Sequence, residues 1–402
     1  MRVVVYPHSM ELGGSQLNAV QLAAAVRDRG HEVLVLSEPG ELVPLVAELG
    51  LEHVEIPLRR KRPDRRVVSE VNRLVRTRGI DVVHGYEWPP AFEALYGTGI
   101  RRAAAPIATV MSMSVVPFFP RSIPLIVGTE QIRREAVAAG HHRVTLLEPP
   151  VDTDGDHPGV PADGFRAAHG LTGAPLIVAV SRLVADLKLP GLLAACDAMA
   201  QLGEGTQLAI VGDGPARAEI TERAEQANAR AGRRAVVLTG QLADPRPAYA
   251  AADITIGMGG SALRALSFGK PLVVLGLDGF SELLTRESLP QFLTSGWWGF
   301  GGDGVPSLTA SLRRLVESPR LRAELGEFGR ELVVGRFSLR RAAELQEQEY
   351  EIAARTSGTA LLDVVRSTGG LASYKVRRKL ARLRGRAAVD DANAAATKPT
   401  RA

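Results

Sequence analysis

Short runs of aliphatic and β-branched residues alternate with longer amphipathic stretches in this chain, and the alternation restarts in its second half. The runs cover residues 3–6, 33–36, 53–56 and 81–84, and then 176–180, 208–211, 236–238, 254–256 and 272–275. Continuous apolar runs separated by helices are typical of a parallel sheet covered on both faces. The pattern therefore predicts an α/β protein with two doubly wound domains, and a ligand cleft between them beyond the carboxyl ends of the strands.

A change in composition separates the two series. Residues 148–163 are rich in Pro, Gly and Asp, which is typical of a linker. We predict an N-terminal domain over residues 1–150, a linker over 151–170 and a second domain over 171–337. The chain has one cysteine, Cys196, which excludes a disulfide framework and a cysteine cluster for zinc or iron–sulfur.

Hydrophobicity along the chain bears on where the protein works. No uninterrupted apolar stretch reaches about 20 residues, so no membrane span is predicted. The apolar run after Met1 is too short for a secretory signal. These observations favour a cytoplasmic protein and leave open a peripheral position at the inner face of the membrane.

The net charge of +5 is unevenly distributed. Residues 355–402 hold 11 Lys or Arg and 3 Asp or Glu, a net of +8, so the rest of the chain carries −3. We predict a basic, partly disordered tail over this range, in which basic residues surround an apolar stripe at helical spacing. The basic residues are Lys375, Arg377, Arg378, Lys379, Arg382, Arg384 and Arg386, and the stripe is Val376, Leu380 and Leu383.

A second basic run, Arg59-Arg60-Lys61-Arg62, lies early in the chain. Both runs fit either a solvated charged surface or attraction to an anionic membrane. Nucleic acid is not an expected partner, because neither run has interleaved aromatic residues for base stacking. The apolar loop at Phe118-Phe119 is likewise open to two interpretations, core packing or contact with a lipid or other apolar ligand.

Three loops after predicted strands carry residues suited to anion binding. Gly13-Gly14 lies between the first strand and the first helix, where glycines let a ligand approach the backbone. Arg182 and Lys188 follow the first strand of the second domain and form a cation pair suited to a diphosphate. Residues 257–264 form a glycine-rich turn from a strand into a helix, which suits a phosphate or a polyhydroxy ligand.

Several short motifs also follow one another along the chain. They are Gly13-Gly14, Asp81-Val82-Val83-His84, Val180-Ser181-Arg182-Leu183 with Lys188, Ile210-Val211-Gly212-Asp213-Gly214-Pro215, Leu238-Thr239-Gly240, Ala251-Ala252-Asp253 and the segment 265–273. Over roughly residues 1–353 this set resembles the GT-B glycosyltransferases of family 4, retaining enzymes that transfer a sugar from a nucleotide-sugar donor. The resemblance implies the GT-B fold of two Rossmann-like domains. It also implies a closing helix over residues 338–354 that packs back on the N-terminal domain.

The resemblance assigns roles to individual residues. Arg182 and Lys188 would bind the donor diphosphate and stabilise the charge that develops as it leaves. The donor-binding set would include Gly13, Gly14, Gly259, Gly260, Ser261, Arg264 and Glu282. No cofactor and no metal would be needed beyond the nucleotide sugar itself. The acceptor, unidentified and either lipid-linked or anionic, would bind the N-terminal domain, where Arg59, Arg60, Lys61, Arg62, Phe118 and Phe119 are the candidate acceptor or membrane contacts.

Two departures from the family pattern affect the expected activity. The family usually has two glutamates eight positions apart, and Ile256 and Arg264 stand at the aligned positions. A cation offers no lone pairs to ribose hydroxyls, so Arg264 would contact phosphate or an anionic sugar, or would be a structural arginine at a helix start. A histidine often found after the fifth strand is replaced near Met111, and His84 is interpreted as structural.

Two other functions therefore stay open beside a glycosyltransferase. One is a catalytically silent GT-B protein that binds a sugar nucleotide or glycan as a regulatory or partner module, which the residues Ile256 and Arg264 favour. The other is a GT-B sugar-nucleotide epimerase, which the cation pair Arg182 and Lys188 disfavours.

Overall fold

The computed structural model describes residues 1–58, 62–99, 103–162, 164–172, 175–355 and 361–383. The chain folds into two compact units. Unit 1 contains Met1–Pro149 and Leu339–Ala402, and unit 2 contains Pro150–Ser338. Along the described ranges, no helix combines the length and hydrophobicity needed to cross a bilayer.

Unit 1 is built on a seven-stranded parallel sheet. Its strands are β1 (Arg2–Tyr6), β2 (Glu32–Ser37), β3 (Glu52–Glu55), β4 (Val82–Tyr86), β5 (Ala105–Val110), β6 (Leu125–Val127) and β7 (Val144–Leu146). Its order is β3-β2-β1-β4-β5-β6-β7. The chain therefore runs outward from β1 to β3 and then crosses back, so that β4 pairs with the other side of β1. The helices between these strands are α1 (Gly14–Arg27), α2 (Val43–Glu48), α3 (Arg65–Arg78), α4 (Trp88–Ala94) and α5 (Glu130–Ala138), with a π-helical turn at Leu95–Gly99.

Helix α3 illustrates how the sequence defines these elements. The side chain of Asp64 accepts a hydrogen bond from the backbone N–H of Arg66 and caps the helix start. The apolar positions Val67, Val71 and Leu74 recur at helical spacing and are fully buried. Full burial of each such side chain contributes roughly 1.5–3 kcal/mol, so one face of this otherwise basic helix holds it against the sheet.

Unit 2 repeats the architecture on a six-stranded sheet. Its strands are β8 (Leu176–Val180), β9 (Gln207–Val211), β10 (Val236–Gly240), β11 (Ile254–Gly257), β12 (Leu272–Leu275) and β13 (Ser281–Leu283), in the order β10-β9-β8-β11-β12-β13. All pairs are parallel except β12 with β13. The helices are α6 (Phe165–Ala168), α7 (Leu189–Met199), α8 (Arg217–Ala231), α9 (Arg246–Ala251), α10 (Gly260–Ser267), α11 (Leu289–Ser295), α12 (Val305–Glu317) and α13 (Pro319–Arg336).

The segment predicted as a linker is folded onto unit 2. Thr153, Asp156 and Phe165 are each about 5% exposed. The guanidinium of Arg330, on α13, donates to the backbone carbonyls of Thr153 and Asp156. The Pro, Gly and Asp content thus reflects turns that wrap over helices of unit 2, and the prediction of an independent linker over 151–170 is wrong.

Unit 1 is completed by two helices that follow unit 2 in the sequence. They are α14 (Leu339–Arg355) and α15 (Leu361–Leu383). Helix α14 packs against α1, and its Tyr350 hydroxyl is hydrogen-bonded to His84 Nδ1 at 2.8 Å. Helix α14 thus occupies the position that the family resemblance gave to a closing helix.

The described part of the basic tail is an ordered helix. Val364, Ser367 and Leu371 of α15 are buried, and the Tyr374 ring packs against Phe118 with 5.0 Å between the ring centroids. The prediction of a partly disordered extension is therefore corrected for residues 361–383, since one face of this segment has a partner in unit 1. Arg384 and Arg386 lie outside the described residues.

Candidate functional site

Strands β8 and β11 are neighbours in unit 2, although their sequences are far apart. The chain leaves β8 toward β9 on one side and leaves β11 toward β12 on the other. The carboxyl ends of two such strands form the crevice where open α/β sheets bind ligands. Two segments of the chain lie at this crevice. Residues 181–188 follow β8, and residues 258–261 follow β11.

The segment after β8 is fixed by the glycine-rich loop that follows β9. The Ser181 N–H donates to the Val211 carbonyl at 3.0 Å, and the Leu183 N–H donates to the Asp213 carbonyl at 2.9 Å. A Cβ atom on Gly212 would lie 1.9 Å from the Ser181 carbonyl oxygen, and both its φ of 142° and this distance require glycine. The motif around Gly212 therefore determines where Arg182 stands.

Lys188 joins the two segments. Its Nζ donates to the Met258 carbonyl at 3.5 Å. Burial, and to a lesser degree the positive charge of Arg182, lower the pKa of Lys188 to about 8. Among the described residues, no carboxylate offsets this repulsion. The structure thus brings the two predicted cations together in an arrangement that an anion would stabilise.

The turn after β11 presents an open backbone to solvent. Gly259 has φ 61° and ψ −136° and immediately precedes α10. A Cβ atom built on Gly259 or Gly260 would meet no atom within 4 Å. The first N–H groups of a helix have no intrahelical acceptor, so those of Gly260 and Ser261 are suited to an anion or a hydroxyl.

One of the backbone donors expected here is already used. The Gly259 N–H donates to the Trp297 carbonyl at 2.9 Å, so this N–H group is not available to a ligand. The hydroxyl of Ser261 donates to the Met258 carbonyl at 3.0 Å. These two bonds fix the shape of the turn and leave the backbone N–H groups of Gly260 and Ser261 as its candidate donors.

Arg264 has a structural partner. Its Nε and one Nη donate to the two carboxylate oxygens of Asp156 at 2.6 and 2.9 Å. Its guanidinium also lies 5.8 Å from the centroid of the Tyr249 ring. Since these contacts hold the side chain against unit 2, the interpretation of Arg264 as a structural arginine replaces its assignment to donor binding.

Ile256, the other position that the resemblance aligns with a glutamate, and Glu282, the acidic candidate, both lie in strands of the unit 2 sheet. Ile256 lies in β11 and is buried in the core of unit 2. Glu282, which the resemblance placed in the donor-binding set, is exposed on the antiparallel edge strand β13, opposite Val274 of β12. Strand β13 is separated from β11 by β12, so Glu282 is not among the residues at the carboxyl ends of β8 and β11.

Unit 1 has a crevice of its own at the carboxyl ends of β1 and β4. Helix α1 begins at Gly14, where an added Cβ would meet nothing within 4 Å, and Gly13 precedes it in extended conformation. The Gln16 amide nitrogen lies 3.2 Å from His8 Nε2 and donates to the Ser9 hydroxyl at 3.0 Å. The predicted glycine turn is thus open to a ligand and lined by polar side chains.

Sequence reasoning missed Glu87, which immediately follows β4. Its φ of 68° is unusual for a residue with a side chain. Its buried carboxylate accepts hydrogen bonds from the N–H groups of Met111 and Ser112 and from the Ser112 hydroxyl. Glu87 therefore fixes the loop after β5, and the Trp88-Pro89-Pro90 sequence that starts α4 is the signal that could have drawn attention to this turn.

His84 is structural, as interpreted from the sequence. It is fully buried, and its Nε2 is hydrogen-bonded to the Thr109 hydroxyl at 2.7 Å, opposite the bond to Tyr350. Burial lowers the pKa of His84 to about 3. It is therefore neutral at physiological pH and has no lone pair or proton to spare for a substrate.

The candidate acceptor or membrane contacts fall into three groups. Arg59, Arg60 and Lys61 lie outside the described residues. Arg62 forms an ion pair with Glu38 at 3.0 Å. Phe118 and Phe119 are buried in unit 1, so of the two interpretations of this loop core packing is correct, and contact with a lipid or acceptor is wrong.

The sequence of unit 2 matches a known protein family. Residues 174–318 match the family model described as "Glycosyl transferases group 1". This range includes the cation pair, the Gly212 loop and the turn at Gly259. Within the described ranges no group of three or more His, Cys, Asp or Glu side chains is arranged to hold a metal ion.

Two curated relatives come from Streptomyces kanamyceticus. An alpha-D-kanosaminyltransferase is 24% identical over 232 residues, which cover 54% of this chain and 55% of the relative. A 2-deoxystreptamine glucosyltransferase is 30% identical over 189 residues, which cover 44% of this chain and 46% of the relative. The chain thus matches about half the length of each.

Solved structures match nearly the whole chain. A glycosyltransferase from Rickettsia africae has a TM-score of 0.71 at 15% identity, covering 89% of this chain and 99% of that one. HepE from Anabaena in complex with UDP has a TM-score of 0.68 at 16% identity, covering 88% and 100%. This likeness confirms the predicted GT-B fold of two Rossmann-like domains.

Proposed function

We propose that this chain is a glycosyltransferase that moves a sugar from a nucleoside-diphosphate donor to an acceptor hydroxyl. The observation that carries the proposal is the meeting of Arg182, Lys188 and the start of α10 at the carboxyl ends of β8 and β11. Two cations that repel each other, beside free helix N–H groups, make a site that a diphosphate would stabilise. The family match of residues 174–318 supports this assignment.

The chemistry follows from the charges. The bond between the anomeric carbon and the diphosphate oxygen breaks, a bond from that carbon to the acceptor oxygen forms, and the acceptor hydroxyl passes its proton to the departing diphosphate. Negative charge grows on the departing diphosphate. Lys188 and Arg182 would stabilise that charge more strongly in the transition state than in the bound donor, and such a difference is what accelerates a reaction.

The open turn at Gly259 and Gly260 would receive the sugar or the distal phosphate. Residues without side chains allow close approach, and the N–H groups of Gly260 and Ser261 would donate to its oxygens. The donor would be a UDP-sugar, which agrees with HepE, a structural neighbour solved with UDP and with UDP-glucose. We assign transfer with retention, without a metal ion, from the family resemblance.

The glutamate positions change how the nucleotide would be held. Ile256 is in the core and Arg264 is paired with Asp156, so neither would bind ribose hydroxyls. Affinity for the donor would therefore depend more on its diphosphate than in a transferase with both glutamates. The acceptor would use the crevice of unit 1 beside Gly14, His8 and Gln16. The name of one curated relative, a 2-deoxystreptamine glucosyltransferase, supports a small amino-cyclitol acceptor.

A donor-binding experiment tests the proposal. We expect UDP-glucose or another nucleotide sugar to raise the melting temperature of the full chain and to be slowly hydrolysed. Lys188→Met combined with Arg182→Ala should abolish both effects. Arg314→Ala, which removes an exposed arginine of α12 in the same unit, should change neither. No binding of any nucleotide sugar at millimolar concentration would refute the proposal, and binding without hydrolysis or transfer would assign the chain to the silent GT-B proteins.

A further inference from the structure

Helix α15 has an inner face that is firmly seated on unit 1. The Asp363 carboxylate accepts a hydrogen bond from the Ser122 N–H at 2.7 Å, and Arg366 donates to the Phe119 carbonyl at 2.7 Å. A Cβ atom on Gly370 would lie 2.7 Å from the Cβ of Phe118, so glycine there lets the helix approach closely. The rotation of α15 about its axis is therefore fixed.

Because the rotation is fixed, the outer face of α15 is defined. Positions three or four residues apart lie on one side of a helix. The residues on this side are Leu362, Val365, Gly369, Ala372, Val376, Leu380 and Leu383. The large side chains among them are exposed: the exposed fraction is 84% for Leu362, 63% for Val365, 58% for Val376, 46% for Leu380 and 74% for Leu383. This outer stripe is about 30 Å long at 1.5 Å per residue.

Positive charge accompanies the outer stripe toward the end of the helix. Lys375, Arg377 and Lys379 are exposed and flank Val376 and Leu380. No Asp or Glu occurs between Asp363 and the end of α15 in the sequence. A helix with an apolar stripe bordered by Lys and Arg is the kind that lies in the plane of a bilayer interface, with its basic side chains reaching the headgroups.

We propose that the outer face of α15 docks the protein on an anionic lipid surface. The stripe enters the boundary between headgroups and acyl chains, and Lys375, Arg377 and Lys379 contact lipid phosphates. Charge selects this occupant. A second copy of the same helix would bring like charges together, and an exposed stripe without aromatic residues offers no stacking surface for nucleic acid. The proposal does not depend on sugar transfer.

Vesicle co-sedimentation of the full chain tests the proposal. We expect binding to phosphatidylcholine vesicles that contain phosphatidylglycerol, weakening as salt is raised, and little binding to phosphatidylcholine alone. Val376→Ser with Leu383→Ser should weaken binding about tenfold, and Arg377→Gln with Lys379→Gln should do the same. All four side chains are exposed, so the fold should be unaffected, which thermal unfolding checks.

A matched control uses exposed residues elsewhere in unit 1. Val137→Ser with Arg134→Gln, both on α5, should leave vesicle binding unchanged. Equal binding to charged and uncharged vesicles, or full binding by both α15 variants, would overturn the proposal. A third result would also overturn it: the parent chain does not bind vesicles but forms a concentration-dependent dimer, detected by light scattering, and the Val376→Ser and Leu383→Ser variant does not dimerise. This result would assign the stripe to a contact with a second copy of the chain.

Discussion

Arg264 and Asp156 form a bidentate ion pair across 108 residues of sequence, with N–O distances of 2.6 and 2.9 Å. The Asp156 side chain is 6% exposed and that of Arg264 is 30% exposed. The pair therefore links the first residues of unit 2 to α10, the helix that follows the candidate turn. Position 264, which the family resemblance would give to a ribose-binding glutamate, is thus occupied by an arginine that is held in an ion pair within unit 2.

Removal of one partner of this pair should be costly. Arg264→Ala would leave a buried carboxylate unpaired, and we expect a loss of about 3–5 kcal/mol in the free energy of unfolding. Urea denaturation of Arg264→Ala, Asp156→Ala and the double variant measures the coupling, and the double variant should be less destabilised than the sum of the two. Strict additivity would contradict a direct pair. The exposed pair Arg246 and Asp244 is the control, worth about 1 kcal/mol or less.

Donor binding should depend on pH through Lys188. Burial and the charge of Arg182 lower its pKa to about 8, and a bound diphosphate would raise it again. At pH 8 the site should take up about half a proton on binding, and affinity should fall as the pH rises above 8 because the free site loses its charge. Calorimetry in buffers of different ionisation enthalpy measures the uptake. Lys188→Met should remove it, and persistence of the uptake in that variant would assign the proton elsewhere.

The two glycines of the candidate turn should respond differently to alanine. Gly259 has φ 61° and ψ −136°, a conformation nearly restricted to glycine, so Gly259→Ala should cost about 1–3 kcal/mol of stability. Gly260 has no positive φ and has open space beside it, so Gly260→Ala should leave stability within about 0.5 kcal/mol. If the turn receives the donor, the added methyl should nevertheless weaken binding. Chemical denaturation and donor titration separate the two effects, and unchanged affinity in Gly260→Ala would remove the turn from the site.

Stability should fall in acid because of buried histidine. Burial lowers the pKa of His84 to about 3, against about 6.5 in an unfolded chain. Between these values the unfolded chain binds a proton and the folded protein does not, so the free energy of unfolding falls as the pH drops from about 6.5 to 3. Burial also lowers the pKa of His141, to about 4, with the same sign.

Two variants separate this effect from hydrogen bonding. His84→Gln should lower stability by about 1–3 kcal/mol and flatten its dependence on pH. Tyr350→Phe should lower stability while keeping the pH dependence, because the histidine remains. Urea denaturation at a series of pH values measures both. An unchanged slope in His84→Gln would mean that other groups control acid sensitivity.

Helix α15 should contribute to the stability of unit 1. Leu371 is 4% exposed and packs in the same cluster as Phe118 and Phe92, so Leu371→Ala should cost about 2–5 kcal/mol. Leu362→Ala, at an exposed position, should cost less than about 0.5 kcal/mol. Cutting the chain after Arg355 would uncover Phe118 and should lower the melting temperature. A truncated chain with the same melting temperature as the full chain would show that α15 does not contribute to the stability of unit 1.

The repeating pattern of the sequence predicted the fold because it reflects burial. Residues 3–6 of β1 and all of β8 are apolar, so both strands could be recognised without any partner. Strands β6 and β7 have three residues each, too few to show a period, and β13 is an antiparallel edge. The exposed stripe of α15 was predicted at helical spacing, but the buried face of the helix was not, because its partner Phe118 lies about 250 positions earlier.

The candidate site was predictable where chemistry follows a strand directly. Arg182 and Lys188 follow β8, and the neighbouring position of β11 in the sheet brings Lys188 to the Met258 carbonyl. A structural role for Arg264 was one of two alternatives, and the sequence could not decide between them, since the partner Asp156 is remote in sequence and lies in a segment that resembled a linker. The Trp297 carbonyl, which accepts the hydrogen bond from the Gly259 N–H, lies 38 positions further along the chain. The sequence pattern around each strand located the loops. Contacts between residues remote in sequence determine which N–H groups and side chains of those loops can bind a ligand.

The position of α14 has a consequence for how the protein is made. Unit 2 is in effect an insertion in the sequence of unit 1, since Leu339–Arg355 returns to pack on α1. Tyr350 emerges from the ribosome 266 residues after His84, the residue that it bonds. While unit 2 is being synthesised, the nascent chain must carry an incomplete unit 1 whose α1 face is uncovered. The order of translation therefore makes unit 2 the first part that can finish folding, and the N-terminal part the last.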